Sequence, residues 1–318
     1  MLSKKYTKQR RMLPRGRIPL LLFGAFFSFC WPADAQLENR PLMHNGYQRP
    51  YQIFRPAHIA AHPAVVFMLG GIHTTAKSVA ENFGWTQKAE QNGFLAVFPD
   101  PVATQTDQPP SNRNITFWEM NGSRTHLLAA DSLPVDDDGY LLAVLHDVLI
   151  RDRPNRRRIF FAGFSSGSGM VQLFAARHPS LVDGVVAVAT PLMSPPAELS
   201  RPVPILYIHG DDDEQFSGFE THSPNFATTP HGNWVTWGYL NGCRQQTAKR
   251  TAWGVEFLWR DCRHHVPVVA DFIRHLGHEW PGAMDAHWES KYWSQPPPNF
   301  TDMAWKFFAG IPGHSSRP

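Results

Sequence analysis

The five residues Gly163-Phe164-Ser165-Ser166-Gly167 constrain this chain more than any other stretch. The apolar run Ile159-Phe160-Phe161-Ala162 precedes them, and Gly169 to Arg177 follows with an apolar face. The first reads as a short buried strand and the second as a helix. A serine therefore stands at a strand-to-helix turn, which is the context that a G-x-S-x-G nucleophile elbow requires. The turn is tight, so the flanking glycines avoid clashes that a Cβ would bring. It lifts Ser165 Oγ above the sheet edge and points the Ser166 N–H into the same space. The bland reading is a Gly/Ser-rich connection. The strand before it and the helix after it favour the elbow.

Other apolar runs supply the rest of a sheet. Tyr51 to Phe54 reads as an early strand. Ala64 to Leu69 is apolar throughout and ends at Gly70-Gly71, the pattern of a strand buried on both faces. A helical stretch over Ala76 to Gln91 leads to Gly93, and Phe94 to Phe98 is the next strand. Pro99-Asp100-Pro101 ends it, because proline cannot donate to the ladder. Thr104 to Asn114 is polar with Pro109-Pro110 and reads as a surface loop. Gly139 to Ile150 predicts a helix, and Asp136-Asp137-Asp138 at its start complements the helix dipole. Those three acids do not read as a calcium loop, since Tyr140 falls at a ligand position and Leu141 where the glycine belongs. Gly184 to Ala189 and Val203 to Ile208 are further strands. Phe216 to Asn233 suits a loop or cap over a site. Val268 to Ile273 is strand or helix, and Phe300 to Phe308 is a closing helix. Strands alternating with helices imply a largely parallel sheet with helices on both faces, an α/β class.

The N-terminus reads differently. Lys4 to Arg17 is basic, and Ile18 to Cys30 is apolar but short for a membrane span. Ala33-Asp34-Ala35 then supplies an A-x-A cleavage site, so residues 1–35 read as a signal peptide and 36–318 as one domain. An uncleaved anchor is the alternative. Arg10-Arg11 is a weak hint of twin-arginine export. Of the 318 residues, about 280 remain, enough for one large core. Residues 1–35 carry seven Lys and Arg against one Asp, so the whole chain's formal net charge of +3 becomes −3 without them and the mature chain is close to neutral. The mature chain shows no basic stripe suited to nucleic acid, and no stable membrane span. Its location is then secreted or periplasmic. Only Cys243 and Cys262 stay in the mature chain. Paired, they would add about 3 kcal/mol of stability; the alternative is two buried thiols.

A serine nucleophile needs a base, and the base needs a carboxylate to orient it. In elbow-bearing sheets these follow in the order Ser, Asp/Glu, His. Asp211-Asp212-Asp213 sits directly after the strand that ends in Ile208-His209-Gly210, at the carboxyl edge where sites in open α/β folds form. His278 lies in the glycine-flanked loop Gly277-His278-Glu279-Trp280-Pro281-Gly282. His264, His265 and His275 read as surface residues. His275-x-x-His278 fails as a metal motif, because position 282 is Gly rather than His. An oxyanion hole needs two backbone N–H groups. Ser166 supplies one, and Ile72, after Gly70-Gly71, supplies the other.

These residues resemble the exported esterases of the polyhydroxybutyrate-depolymerase type, which include feruloyl and acetylxylan esterases. The likeness runs from about Tyr51 to Phe308. It is carried in order by Leu69-Gly70-Gly71-Ile72-His73-Thr74, Phe83-Gly84-Trp85, Gly93 to Pro99, and Val135 to Leu141. Gly163 to Gly167, His209 to Asp213, Leu240-Asn241-Gly242-Cys243 and Gly277 to Gly282 complete it. The resemblance implies an α/β-hydrolase fold with Ser165 as nucleophile, Asp213 as orienting acid and His278 as base. It also implies a Cys243–Cys262 disulfide and no cofactor or metal. The family commonly has His-Gly where this chain has Gly70-Gly71, and Ala and Gly where it has Ser166 and Ser168. It commonly has a glycine run at His275-Leu276. These differences bear on substrate preference and on the oxyanion loop. Trp85, Trp118 and Trp280 fall near segments expected to rim the site, where aromatic walls suit an apolar ester; core packing is the competing role for each. The reading is an esterase for small or oligomeric esters. A serine peptidase on the same fold, or a binding protein on a hydrolase scaffold, is the alternative.

Overall fold

The structure, a computed structural model, describes residues 35–105, 114–119, 128–129, 135–216, 233–283 and 298–312. The leader expected over residues 1–35 lies outside them except for Ala35. So does most of the expected cap at Phe216–Asn233.

The strands in chain order are β1 (Gln36–Arg40), β2 (Met43–His44), β3 (Tyr47–Gln48), β4 (Tyr51–Arg55), β5 (Val65–Leu69) and β6 (Leu95–Pro99). Then come β7 (Ala103–Gln105), β8 (Asn114–Thr116), β9 (Leu128–Ala129), β10 (Ile159–Phe164), β11 (Gly184–Val188) and β12 (Ile205–Gly210). The last are β13 (Gln245–Arg250), β14 (Gly254–Arg260) and β15 (Val268–Ile273). The helices are α1 (Ala76–Asn82), α2 (Trp85–Asn92), α3 (Asp137–Arg151), α4 (Ser166–Arg177), α5 (Asn233–Leu240) and α6 (Phe300–Gly310). Ten strands form one sheet in the order β1-β4-β6-β5-β10-β11-β12-β15-β14-β13. The six from β6 to β15 run parallel, and antiparallel strands flank them on both sides. This is the α/β-hydrolase fold, with helices on both faces of a largely parallel sheet.

The parallel strands are apolar at nearly every position, His209 on β12 and Asp271 on β15 being the exceptions, because each side meets a core. On one face Phe67, Phe161, Val185 and Tyr207 pack against α3, α4 and α5 through Tyr140, Val144, Met170, Phe174 and Trp237. On the other, Val66, Met68, Phe160 and Val186 pack against α1, α2 and α6 through Val79, Trp85, Ala304 and Phe308. Phe67 stacks on Phe161 across neighbouring strands, with ring centroids 4.5 Å apart. Truncating such a buried ring typically costs about 3–5 kcal/mol.

The expected helix over Ala76 to Gln91 is two helices. Gly84, in the left-handed region at φ 73°, breaks it, and buried Phe83 plugs the break. The two ends of the expected loop at Thr104–Asn114 pair as β7 and β8, with β9 beside β7. Val268–Ile273 is a strand, fixed by parallel pairing to β12. Asp136 caps α3, its side chain accepting from the Gly139 N–H at 2.9 Å. Cys243 and Cys262 are joined in a disulfide that ties the start of the β13–β14 hairpin to its end. Among the described residues no helix is long and apolar enough to cross a membrane.

Candidate active site

Three loops at the carboxyl edge of the parallel strands converge. The first is the elbow. Ser165 sits between β10 and α4 at φ 54°, ψ −125°, a conformation that a non-glycine residue holds only when its surroundings enforce it. Two neighbours need to be glycine. A Cβ on Gly163 would run into the Gly167 carbonyl, and one on Gly167 into the Leu69 and Gly70 carbonyls. The Ser165 N–H donates to the Val188 carbonyl at 3.0 Å, which ties the turn to β11. Behind it the Ser168 hydroxyl donates to the Thr190 carbonyl at 2.6 Å. Gln172 Nε2 also donates to that carbonyl, at 2.7 Å, while its Oε1 accepts from Trp237 Nε1 at 2.9 Å. This buried polar chain is satisfied by its own members and locks α4 beneath the elbow.

The second loop follows β12 and carries the acids. The third follows β15 and carries His278. β12 and β15 are adjacent and parallel, so the two loops leave the sheet side by side. Gly210 lets them touch, since a Cβ there would collide with the Leu276 carbonyl. Further bonds hold them together. The Asp212 N–H donates to the Leu276 carbonyl at 3.1 Å, and the His275 N–H donates to Asp211 Oδ1 at 2.6 Å. Asp211 thus fastens the histidine loop.

The result is a chain of hydrogen bonds. His278 Nδ1 lies 2.8 Å from Asp213 Oδ2, and His278 Nε2 lies 2.9 Å from Ser165 Oγ. A carboxylate only accepts, so Nδ1 carries the ring proton and Nε2 is left to accept from the serine hydroxyl. Asp213 is 3% exposed, and its other oxygen accepts the Gln215 N–H at 3.1 Å. Phe164 packs on the His278 ring with centroids 5.1 Å apart, and Phe83 and Trp280 back Phe164 in turn.

The loop after β5 closes the fourth side. Gly71 lies against the nucleophile: a Cβ there would sit 2.9 Å from Ser165 Cβ and 3.4 Å from its Oγ. Thr74 Oγ1 donates to the Gly71 carbonyl at 2.8 Å, and the His73 N–H donates to the Thr116 carbonyl at 3.0 Å. The Ile72 side chain is 41% exposed beside this approach. Ser166 opens α4, so its N–H has no partner within the helix.

The structure places the three tryptophans elsewhere. Trp85 and Trp118 are fully buried and Trp280 is 2% exposed, so none of them presents a wall to a ligand. Trp280 donates to Thr301 Oγ1 at 3.0 Å and meets Phe83 and Trp85 edge-on or tilted in the core. Trp118 lies under Arg49 and beside Tyr140. Each indole is closed over by elements distant in sequence, α6 above all for Trp85 and Trp280. That packing overrides proximity along the chain. His264, His265 and His275 are exposed. Asp211, Asp212 and His275 bring three potential cation ligands within 4.8 Å of one another at the surface, beside the histidine loop.

Sequence reasoning passed over His209. It is buried behind Asp213, with Nδ1 2.8 Å from the Tyr207 hydroxyl and Nε2 3.8 Å from Asp213 Oδ2. Burial lowers its pKa to about 4, against an opposing pull from Asp213. The Tyr-x-His alternation at the end of an apolar strand was its only signal.

Comparisons with known proteins bear on the fold and on the kind of relatives the chain has. A family model described as alpha/beta hydrolase fold matches residues 63–207. NocK of Nocardia uniformis subsp. tsuyamanensis, named as an esterase, is 28% identical over 196 residues, 59% of this chain and 53% of that protein. The bifunctional acetylxylan esterase/xylanase XynS20E of Neocallimastix patriciarum is 21% identical over 217 residues, 61% of this chain and 28% of that one. The chain thus spans about half or less of the length of these curated relatives. The solved acetyl xylan esterase of Aspergillus awamori superposes with a TM-score of 0.58 at 14% identity, covering 86% of this chain and 99% of the other. The chain has the α/β-hydrolase fold, and its relatives in sequence bear esterase names.

Proposed function

We propose that the chain is an exported serine esterase that hydrolyses carboxylic esters through an acyl-enzyme. The observation that carries this reading is the unbroken Ser165–His278–Asp213 chain at 2.9 and 2.8 Å, set at a strained elbow. Ser165 Oγ attacks the ester carbonyl carbon while its proton passes to His278 Nε2. Asp213 holds the imidazole and balances its new positive charge. The N–H groups of Ser166 and Ile72 receive the negative oxygen; α4 adds its N-terminal dipole. Collapse expels the alcohol, which takes the proton from His278. Water then gives a proton to His278 and attacks the acyl group, and the acid departs as Ser165 regains its hydrogen. No step calls for a metal or cofactor.

Similarity to acetylxylan and feruloyl esterases supports acetyl or feruloyl esters as substrates; hydroxyalkanoate esters rest on the resemblance of the sequence motifs alone. With the tryptophans buried, the exposed Ile72 and the loop around it offer the apolar contact beside the nucleophile. Export rests on the leader and the disulfide. Cleavage after Ala35 leaves Gln36, the first residue of β1, so the sheet keeps all its strands. Labelling by a fluorophosphonate probe, lost in Ser165→Ala, tests the nucleophile and separates an enzyme from a binding protein on this scaffold. Hydrolysis of nitrophenyl acetate and butyrate, methyl ferulate, acetylated xylan and hydroxybutyrate oligomers then sorts the ester class. Cleavage of peptide amides with no ester turnover would replace the esterase by a peptidase.

A further inference from the structure

Two imidazoles approach one oxygen of Asp213. His278 Nδ1 lies 2.8 Å from Oδ2, and His209 Nε2 lies 3.8 Å from the same atom. The second has no part in the proton path from Ser165, yet it is 3% exposed and, among the described residues, its Nε2 has no hydrogen-bond partner. A buried N–H without an acceptor is costly, so its persistence beside a carboxylate asks for a reason.

Tyr207 decides which nitrogen carries the proton. It stands two residues earlier on β12, so both rings lie on one face of the sheet, 5.8 Å apart and nearly parallel. Its hydroxyl is 2.8 Å from His209 Nδ1. With the hydroxyl donating, Nδ1 is the acceptor and the single ring proton sits on Nε2, facing Asp213. The reverse arrangement would turn a lone pair towards a buried carboxylate. Among the described residues the other groups around the ring do not compete. From β15 comes Phe272, 6.2 Å away, and from the two site loops come Asp213 and His278. Burial keeps the Tyr207 hydroxyl protonated and holds the His209 ring neutral, with a pKa of about 4.

We propose that His209 is a positioning residue: a neutral imidazole, fixed as the Nε2–H tautomer by Tyr207, that shares Asp213 Oδ2 with His278. The inference rests on the serine-esterase reading above. Its consequence is electrostatic. An N–H dipole pointing at a carboxylate draws on the charge that the carboxylate offers to its other partner. Asp213 therefore pulls on the His278 imidazolium less than it would alone, and the base gives its proton up more readily to the leaving alcohol. The same dipole keeps the carboxylate aimed when His278 loses its charge between turnovers.

The test combines a pH profile with a direct view of the ring nitrogens. In nitrogen–proton correlation spectra of the wild type, His209 should carry its proton on Nε2 and remain neutral down to about pH 5. His209→Phe should move the acid limb of kcat/KM for nitrophenyl acetate upward by about half a pH unit, with KM little changed. The His278 imidazole titration should move with it. His209→Gln keeps an N–H donor at similar reach and should restore most of the shift. Tyr207→Phe should move the limb the same way by less, because only the tautomer lock is lost. A wild-type spectrum with the His209 proton on Nδ1 overturns the proposal. So does an unmoved His278 titration in folded His209→Phe, or in Tyr207→Phe if the former does not fold. The spectra need no turnover, so they judge His209 even if Ser165→Ala retains activity and the esterase reading itself falls.

Discussion

The centre of the sheet and its far flank follow different rules. In β5, β10, β11 and β12 nearly every side chain is buried, and the loops after β5, β10 and β12 meet the loop after β15 at one spot. In β13, at the edge, almost every residue is exposed, and β14 is buried fully only at Gly254 and Trp259. The parallel centre is held by two cores, one on each face. The antiparallel flank is held by ladder bonds, a disulfide and one covered face. Catalytic geometry needs atoms held to a fraction of an ångström, and only the centre offers that rigidity. The contrast predicts that changes at the centre strike turnover, whereas changes at the flank strike stability and leave turnover per folded molecule intact.

The sharpest break falls on the nucleophile. Ser165→Ala should lose turnover of nitrophenyl acetate by several orders of magnitude while melting at the wild-type temperature. Near-normal turnover by the folded variant would end the reading of the elbow. Next comes the acid. Asp213→Asn should lower kcat by about 10³–10⁴, because an amide can leave the imidazole in the wrong tautomer. Asp212→Asn should do little, its side chain being half exposed. Asp211→Asn should fall between, since it loosens the bond to the His275 N–H without touching His278. If Asp211→Asn matched Asp213→Asn, the register of that loop would need revision. His278→Ala against His275→Ala checks the base in the same way.

A smaller central effect belongs to the loop after β5. Gly71→Ala would push a Cβ to 2.9 Å from Ser165 Cβ. The backbone has to withdraw, and the Ile72 N–H withdraws with it. A loss of about 10–100-fold in kcat, with little change in folding, is expected where one oxyanion donor is displaced rather than removed. Retained kcat with a raised KM would place this loop in substrate binding instead.

The same contrast governs what the chain reveals before folding. The central strands are legible because a strand buried on both faces must be apolar throughout, and glycines must stand where loops cross closely. Ser165, Asp213 and His278 are legible for the same reason: each follows an apolar run at the edge where sites form. The flank is not. Gln245 to Arg250 is polar at nearly every position and pairs only because β14 offers it a ladder. Gln36 to Arg40 is equally silent, and pairs with β4. The tryptophans mislead, because whether an indole lines a cleft or fills a core depends on residues far along the chain, as Phe308 of α6 does for Trp85. His209 was hidden by its setting, a histidine inside an apolar strand whose partners, Tyr207 and Asp213, stand two and four residues away with no motif to mark them.

At the flank the disulfide should matter to folding alone. Replacing Cys243 and Cys262 together by Ala should remove about 3 kcal/mol of stability. The kcat of the folded fraction should be unchanged. A fall in kcat beyond twofold would mean that the hairpin reaches the site and that the boundary between the two regions is drawn in the wrong place.

The last test uses pH. Asp271 on β15 stands opposite Glu256 on β14, and it is buried. Burial first, and the Glu256 charge second, raise its pKa to about 7. An unfolded aspartate releases its proton near pH 4. Between pH 4 and pH 7 the folded chain therefore holds a proton that the unfolded chain has lost, and stability falls as pH rises through that window. His209, whose folded pKa is lowered, contributes the opposite slope between pH 6.5 and pH 4. The difference between wild type and Asp271→Asn isolates the carboxyl. The amide is neutral at every pH, so the two proteins should have nearly equal stability at pH 4 in urea unfolding. The variant should gain on the order of 4 kcal/mol over wild type at pH 8. Its turnover should change little, since Asp271 faces Glu256 across the β15–β14 ladder, where the parallel centre meets the flank. A stability difference independent of pH would show that Asp271 is held charged, and that the flank tolerates two facing carboxylates.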